Sequence, residues 1–416
     1  MPFDMAMTTD RGYLSLLRNN RDFRLLYIGT LISLAGDWFL TVALLDLVLE
    51  LSGLASLASL MVVCQTIPVF LVTPFAGHLV DKLDRRKLMI TTDVIRAFAC
   101  LLPLLATSRA TLPFAFLGVI IIAVGSACFE PASAAALPNL VSEAELGRAN
   151  VLFGSAWGTM LAVGAGLGGL VTARFGRNVS FLSDALSFLL SAFLLYRIRV
   201  SFSEVRTREH PPFFKSVRET FGYARSNPRV LALLVSKGGY GIGAGVVAML
   251  SVFGRQVFHA GANGIGFLYA MRGIGALAGP FIVRGISKSS DQQYRWISVA
   301  VAVFGLGYIG LALSPSLLIG SIAICLAHLG GGAQWLTSTF GLQREVPDHI
   351  RGRVFAVDYG LVTLTMSFSS LLVGAMSDRF GPRAATAGTA SLCLAWALGW
   401  GLLTWRLWKP KESQPS

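Results

Sequence analysis

Four ionisable side chains in this 416-residue chain lie well inside long apolar runs: Asp37, Glu130, Arg272 and His328. Two are carboxylic acids that can take up and release protons, one is a guanidinium that stays charged in any protein setting, and one is an imidazole that titrates near neutral pH. At a bilayer centre such a group costs at least about 2.5 kcal/mol on insertion scales, so each calls for a partner, a water-filled cavity or a function. Asp37 sits about 21 Å along its helix from Phe23 at helical rise, near the midplane. Thr30, Ser33 and Thr41 share its face at spacings of three and four residues, so the first helix carries a polar stripe. Arg272 lies about 15 Å from Ala262, again near the midplane, and its permanent charge requires a carboxylate partner or an anionic ligand. Glu130, followed by the kinking Pro131 and sharing a face with Ser126 and Ser133, is placed either to take up protons or to pair with a loop arginine. His328 is a deep, lone histidine that is either a proton site or a packing residue, and Gln334 on the same helix could add a hydrogen bond. Trp157, Tyr240 and Trp335 could line a cavity beside these groups.

Other charges within the apolar runs read as structural. Asp46 points away from Asp37 and lies near the outer water, Asp93 and Arg96 can pair along one helical turn, and Asp184 is close to a helix end. Lys237 and Asp358 fall within about 10 Å of the inner surface, where snorkelling or end-capping is the simpler account.

The elements that must hold these residues are membrane helices. Hydrophobic residues make up 54% of the chain and charged residues 14%, a composition of a polytopic membrane protein rather than a soluble one. Apolar runs of about 20 residues recur throughout, long enough to cross about 30 Å of hydrocarbon as helix and too long for barrel strands. Twelve spans are expected: 23–49, 55–80, 88–106, 112–136, 148–173, 179–198, 229–253, 262–284, 294–313, 316–341, 353–377 and 385–406. The chain divides into a short N-terminal segment (1–22), a six-helix bundle (23–198), a polar linker (199–228), a second six-helix bundle (229–406) and a tail (407–416). Of the 35 Lys and Arg residues, 26 fall on the side carrying both termini and six on the other, which sets N- and C-termini in the cytoplasm. The net charge of +13 therefore reflects topology and not nucleic acid. The five cysteines have no paired spacing, and no disulfide or metal site is implied. No phosphate loop, His-Glu-x-x-His pair or Gly-x-Ser-x-Gly elbow occurs, so neither ATP nor a catalytic cofactor is expected and an ion gradient is the natural energy source.

The halves echo each other. Gly147-Arg148 and Arg174-Phe175-Gly176 recur 205 residues later as Gly352-Arg353 and Arg379-Phe380-Gly381, the mark of a parallel repeat, which places a substrate site between the halves near the midplane. The loop Gly77-x-x-x-Asp81-Lys82-x-Asp84-Arg85-Arg86-Lys87 resembles the signature between helices two and three of the major facilitator superfamily, with Asp84 in place of its second Gly. Gly36-Asp37-Trp38, Phe129-Glu130-Pro131-Ala132, Gly147-Arg148-Ala149-Asn150 and Asp184-Ala185-Leu186-Ser187-Phe188-Leu189 are similar to the bacterial branch that contains macrolide and siderophore exporters. In helix five, Ala165 stands where those exporters carry a proline, and helix four lacks the arginine of many proton-coupled relatives.

The resemblance implies an all-α twelve-helix fold of two pseudo-symmetric bundles. It also implies a monomeric secondary transporter of the bacterial inner membrane that exports an amphipathic or hydrophobic small molecule, a drug or siderophore, in exchange for protons. In that reading Asp37 and Glu130 carry protons and Arg272 biases the exchange. Gly77, Asp81, Arg85 and Arg86 with Gly352 and Arg353 form a cytoplasmic gate in which Asp81 meets the start of helix eleven, whose free amides favour a carboxylate. Arg85, Arg86 and Lys87 could equally anchor the turn to anionic lipid headgroups. A lipid or lysolipid translocator of the same fold, or a non-transporting receptor or scaffold, are the alternatives.

Overall fold

The computed structural model describes residues 11–202, 213–286 and 290–408 and is helical throughout, with no strand among them. In hydrocarbon every backbone polar group needs an internal partner, and a helix supplies those partners within one segment. Twelve helices are long and apolar enough to cross a membrane. An even number of spans brings both termini to one end, here called the terminal face.

A short helix α1 (Arg11–Asn19) precedes the first span α2 (Arg21–Ser52), which Asn20 caps by accepting from the Phe23 amide at 2.9 Å. The remaining N-terminal spans are α3 (Ala55–Lys82), α4 (Arg85–Ala99, continued by a 3-10 turn to Leu105), α5 (Leu112–Leu140), α6 (Glu143–Phe175) and α7 (Arg177–Tyr196). Within the expected linker lies a further helix, α8 (Phe213–Ser226). The seventh span starts as α9 (Pro228–Ala244), passes through a 3-10 turn and the single turn α10 (Met249–Val252), and closes in a π-helical turn (Phe253–Val257). Then follow α11 (Gly261–Ile286), α12 (Ser290–Leu313), α13 (Leu317–Glu345), α14 (Asp348–Phe380) and α15 (Pro382–Thr404). Several spans run longer than the apolar runs suggest. Helix α6, for one, begins at Glu143 because Ser142 and Glu145 form a capping box ahead of the apolar part.

The repeat seen in sequence is a repeat of geometry. Helices α6 and α14 each run 33 residues and stop at Gly176 and Gly381, at φ 88° and 85°, a backbone region open to glycine. Each glycine amide returns to the helix, to the Thr172 carbonyl at 3.0 Å and the Ser377 carbonyl at 2.9 Å.

Buried apolar residues fall into three clusters that reveal how the halves meet. One continuous core spans both halves, joining Leu40–Leu49, Phe181 and Phe188 to Met249–Phe253, Ile265 and Val373. The other two belong to the terminal face and stay within one half each: Phe23, Met89, Ala136 and Leu195 in the first, Leu233, Tyr294, Leu342 and Val354 in the second. The halves are fused at the far end and separate toward the termini.

Two seams carry the fusion. Small residues on α6 face small residues on α11: a Cβ at Gly169 would come within 2.8 Å of the Gly266 Cα, and one at Gly273 within 2.7 Å of the Ala162 Cα. The glycines of α6 are thus consumed in close helix contact of the small-residue kind. On the other side α3 meets α14, where the Asp378 carboxylate accepts from the Ala55 and Ser56 amides at 2.7 and 3.1 Å, capping the start of α3 across the interface. Deeper along that seam Thr66 and Ser367 hydroxyls lie 3.3 Å apart.

Candidate functional site: charges between and within the two bundles

Helix α2 puts Asp37, half-buried, opposite α4, α5 and α7. Its carboxylate lies within electrostatic reach of Arg96, Glu130, Asp93 and Asp184, so four acids share one guanidinium in the N-terminal half. Arg96 ion-pairs with Asp93 one turn away, donates to the Ser126 hydroxyl at 3.3 Å, and lies over the rings of Phe129 at 4.6 Å and Phe188 at 4.3 Å, while its Nε is buried without a hydrogen-bond partner. Gly125 leaves room for its stem, since a Cβ there would sit 2.8 Å from the Arg96 Cγ. Asp184, fully buried, accepts from the Cys100 thiol at 3.1 Å and the Ser187 hydroxyl at 3.0 Å. All five cysteines are free.

Glu130 differs from the other three acids in being exposed. Across from it on α14 stands Tyr359, 48% exposed and within electrostatic reach of Glu130, so the two halves contribute one residue each to a shared open space. Trp157 is likewise half-exposed and packs edge-on to Trp38 with ring centroids 6.4 Å apart. Along the α2 stripe, Thr30 returns its hydroxyl to the Leu26 carbonyl at 3.0 Å, Ser33 is buried, and Thr41 accepts from Gln65 of α3 at 3.2 Å.

In the C-terminal half Arg272 lies on the side of α11 opposite its exposed stripe of Phe267, Ile274 and Phe281. Its guanidinium stands over the Tyr269 ring at 5.7 Å, its Nε is buried with no hydrogen-bond partner, and among the described residues no carboxylate approaches to ion-pair distance. Tyr269 in turn packs on Trp38 at 5.8 Å, so an aromatic contact joins the Arg272 region to the residue next to Asp37. Tyr240 stacks on Phe304 and meets Trp335 at 5.3 Å.

His328 lies within electrostatic reach of Arg272 but has almost no exposed surface. It is buried inside the C-terminal bundle, hydrogen-bonded to the Tyr308 hydroxyl at 2.9 Å and edge-on to Phe304. Gln334 is also fully buried, with a long 3.4 Å contact from its amide to the Ser236 carbonyl. Lys237 does not snorkel: it is completely buried, pairs with Asp358 at 3.3 Å, donates to Thr339 at 3.2 Å and lies 3.8 Å over the Trp335 ring. A charge this far inside hydrocarbon is held by a partner from another helix, which a reading by distance from the helix end cannot detect.

The described contacts of the loop signature, those of Asp84, Arg85, Arg86 and Lys87, stay within the N-terminal half. Gly77 and Asp81 fall in the last part of α3, but the Asp81 side chain and the surroundings of Gly77 lie outside the described residues. Arg85 turns inward to the Ala135 and Phe202 carbonyls, both at 3.1 Å, and Arg86 reaches the Leu195 and Tyr196 carbonyls at the end of α7. Helix ends leave carbonyls without partners, and these arginines supply donors to them. Asp84 caps α4 by accepting from the Lys87 amide at 2.9 Å, which explains an acid where the family signature has glycine. Across the gap Arg353 pairs with Glu219 of α8, and among the described residues nothing lies within 4 Å of a Cβ added to Gly352.

At the far end, by contrast, charges bridge the halves. Arg255 from the π-helical turn pairs with both Asp46 and Glu50 of α2, and Arg177 at the start of α7 pairs with the same two acids. Gln256 adds a bond to the Gly53 carbonyl at 3.0 Å. Asp46 is therefore buried in a clamp rather than facing open water. A cleft of about 280 Å³ opens beside the clamp, lined by Glu50, Arg177, Leu104 and Phe181, well apart from the space that Glu130 and Tyr359 share.

Twelve helices in two repeated bundles, joined at one end and parted at the other, define a transporter of the major facilitator fold. The chain matches the family of transmembrane secretion effectors over residues 12–416 and belongs to it. It is 27% identical to the putative bacilysin exporter BacE of Bacillus subtilis over 85% of this chain and 88% of that one. To macrolide efflux protein A of Streptococcus pyogenes it is 22% identical over 90% and 94% of the two chains. Among solved structures, a bacterial homologue of the iron transporter ferroportin in an inward-facing state superposes with a TM-score of 0.71 at 17% identity, over 92% of this chain and 98% of that one. A bacterial homologue of the human lysosomal transporter Spinster, also inward-facing, gives 0.73 at 15% identity, over 96% and 98%. The protein is a multi-pass membrane transporter of the export class and not an enzyme.

Proposed function

We propose that the protein is a proton-coupled antiporter of the bacterial inner membrane that expels an amphipathic small molecule by alternating access, working as a monomer with both termini in the cytoplasm. The observation that carries this reading is the set of four acids, Asp37, Asp93, Asp184 and Glu130, around the single cation Arg96. Fully ionised, the set would hold excess negative charge in low-dielectric surroundings, so it has to retain protons, and the number retained depends on what else is bound. Asp37 and Glu130 are the members that can exchange protons with water, since both have exposed surface. Arg96 supplies on α4 a cation that α5 lacks. In the topology given by the basic loops, the separated terminal face is cytoplasmic, so this is the state that loads substrate from inside. The clamp of Asp46 and Glu50 on Arg177 and Arg255 then closes the outer face. Outward opening has to break the Arg255 pairs and form a contact at the cytoplasmic face, for which Asp81 and the start of α14 at Gly352 and Arg353 are the candidates. Exporter and efflux relatives support the direction.

Purified protein in liposomes, with cationic ethidium and the zwitterionic dipeptide phenylalanyl-alanine as separate probes, tests the coupling, and flux of either one reads it. Probe flux that follows an imposed pH gradient, and stops when an ionophore collapses it, is the expected result. Flux indifferent to the gradient removes proton coupling.

A further inference from the structure

The two sides of the space between the halves carry opposite charge. On the N-terminal side Glu130 is an exposed carboxylate in a set of four acids that has one cation among it, and that cation is already paired with Asp93. On the C-terminal side Arg272 is a permanent cation with a buried Nε that bonds to nothing, over the Tyr269 ring and away from the exposed stripe of its helix. Lys237, completely buried in the same half, is neutralised by Asp358 and so contributes no free charge. Between the two sides lie aromatic faces: Trp38 against Tyr269, Trp157 against Trp38, and Tyr359 opposite Glu130.

We infer that the transported molecule is a zwitterion with an apolar or aromatic body, its carboxylate received by Arg272 and its ammonium group by Glu130. This rests on the proposal above that the space between the halves is the substrate site. A guanidinium with a shielded Nε and unused donors favours a planar anion that it can bind through charge-assisted hydrogen bonds, and a carboxylate matches it. A purely cationic substrate would leave Arg272 uncompensated, and a purely anionic one would face the acids of the N-terminal half with like charge. An ammonium group beside Glu130 also competes with a proton for that carboxylate, so binding of substrate and binding of protons oppose each other, as exchange requires.

Three probes of one size separate the charges: the dipeptide phenylalanyl-alanine with free termini, its C-terminal amide, and its N-acetyl derivative. Binding is read from the thermal midpoint of the purified full-length protein against probe concentration, with no gradient present. The free dipeptide is expected to bind about tenfold more tightly than either blocked form, the scale of one charge-assisted contact. Arg272→Gln abolishes the preference for the free carboxylate, Arg272→Lys keeps part of it, and Glu130→Gln abolishes the preference for the free amine. The wild-type comparison needs no variant: equal binding of all three probes, or no binding of the free dipeptide at millimolar concentration, overturns the inference. Equal binding alongside gradient-driven ethidium flux would sink the zwitterion and leave proton-coupled export standing. A preference for the free dipeptide with gradient-independent flux would do the reverse.

Discussion

Asp37 has no ion pair of its own within the described residues yet senses Arg96, Asp93, Glu130 and Asp184 together, so its charge is settled by how many protons that set holds. Replacing it with Asn keeps the shape and removes one titrating site. Asp37→Asn is expected to insert and fold normally while gradient-driven flux falls by about tenfold or more; a variant that keeps full flux would take Asp37 out of the coupling set. The Lys237 and Asp358 pair makes a different prediction, because its charges neutralise each other away from the open space. Asp358→Asn leaves a buried ammonium without a counter-charge, at a cost of about 3 kcal/mol, whereas the double replacement Lys237→Met with Asp358→Leu recovers most of that loss. Thermal unfolding in detergent reads both, and equal destabilisation of single and double variants would show that the pair is not what holds Lys237. At this scale, counting residues along a helix placed Asp37, Arg272 and His328 far from the helix ends, but it also set Lys237, Asp358 and Asp46 near water, where the structure buries them. It could not identify their neighbours. That Arg96 serves α2 as well as its own turn, that Lys237 meets Asp358, and that His328 bonds to Tyr308 depend on which helix faces which.

Helix α6 carries glycines whose partner lies in the other half. Its glycines signal close packing in the sequence; the packing partner, α11 of the other half, emerges only in three dimensions. A Cβ at Gly169 would stand 2.7 Å from the Ala262 carbonyl oxygen, so Gly169→Val prevents the far end of this seam from closing. The variant should favour the state open at that end, measured as faster labelling of a cysteine placed near Arg255, and should lose flux without losing expression. Unchanged labelling would mean that α6 and α11 do not form the closing seam. The twelve spans themselves were legible because length, hydropathy and the basic loops all follow from the bilayer. Helix α8 was not, since a polar linker and a polar surface helix have the same residue types and differ in what they lie against.

For the whole molecule, the proposed alternating access rests on the asymmetry between one shared core at the far end and two separate cores at the terminal face. Arg255 ties α2 of one half to the other; it is 25% exposed, and of its two partners Glu50 is 43% exposed and Asp46 is buried. Such pairs contribute on the order of 1 kcal/mol. Arg255→Gln is therefore expected to shift the population about fivefold toward the state open at the far end, seen as a changed distance distribution between spin labels at the end of α2 and the start of α11, and no shift would assign the closure to the apolar core alone. The repeat of sequence around Gly176 and Gly381 foretold two like halves, but it carried no information on which state they adopt. The central claim, exchange of substrate for protons through the Asp37 set, is tested most directly by recording both movements at once in liposomes holding a pH-sensitive dye, at zero membrane potential. The wild-type protein is predicted to move protons opposite to the probe, and Asp37→Asn to move neither above background. Probe movement by the wild type with no opposing proton movement would contradict it.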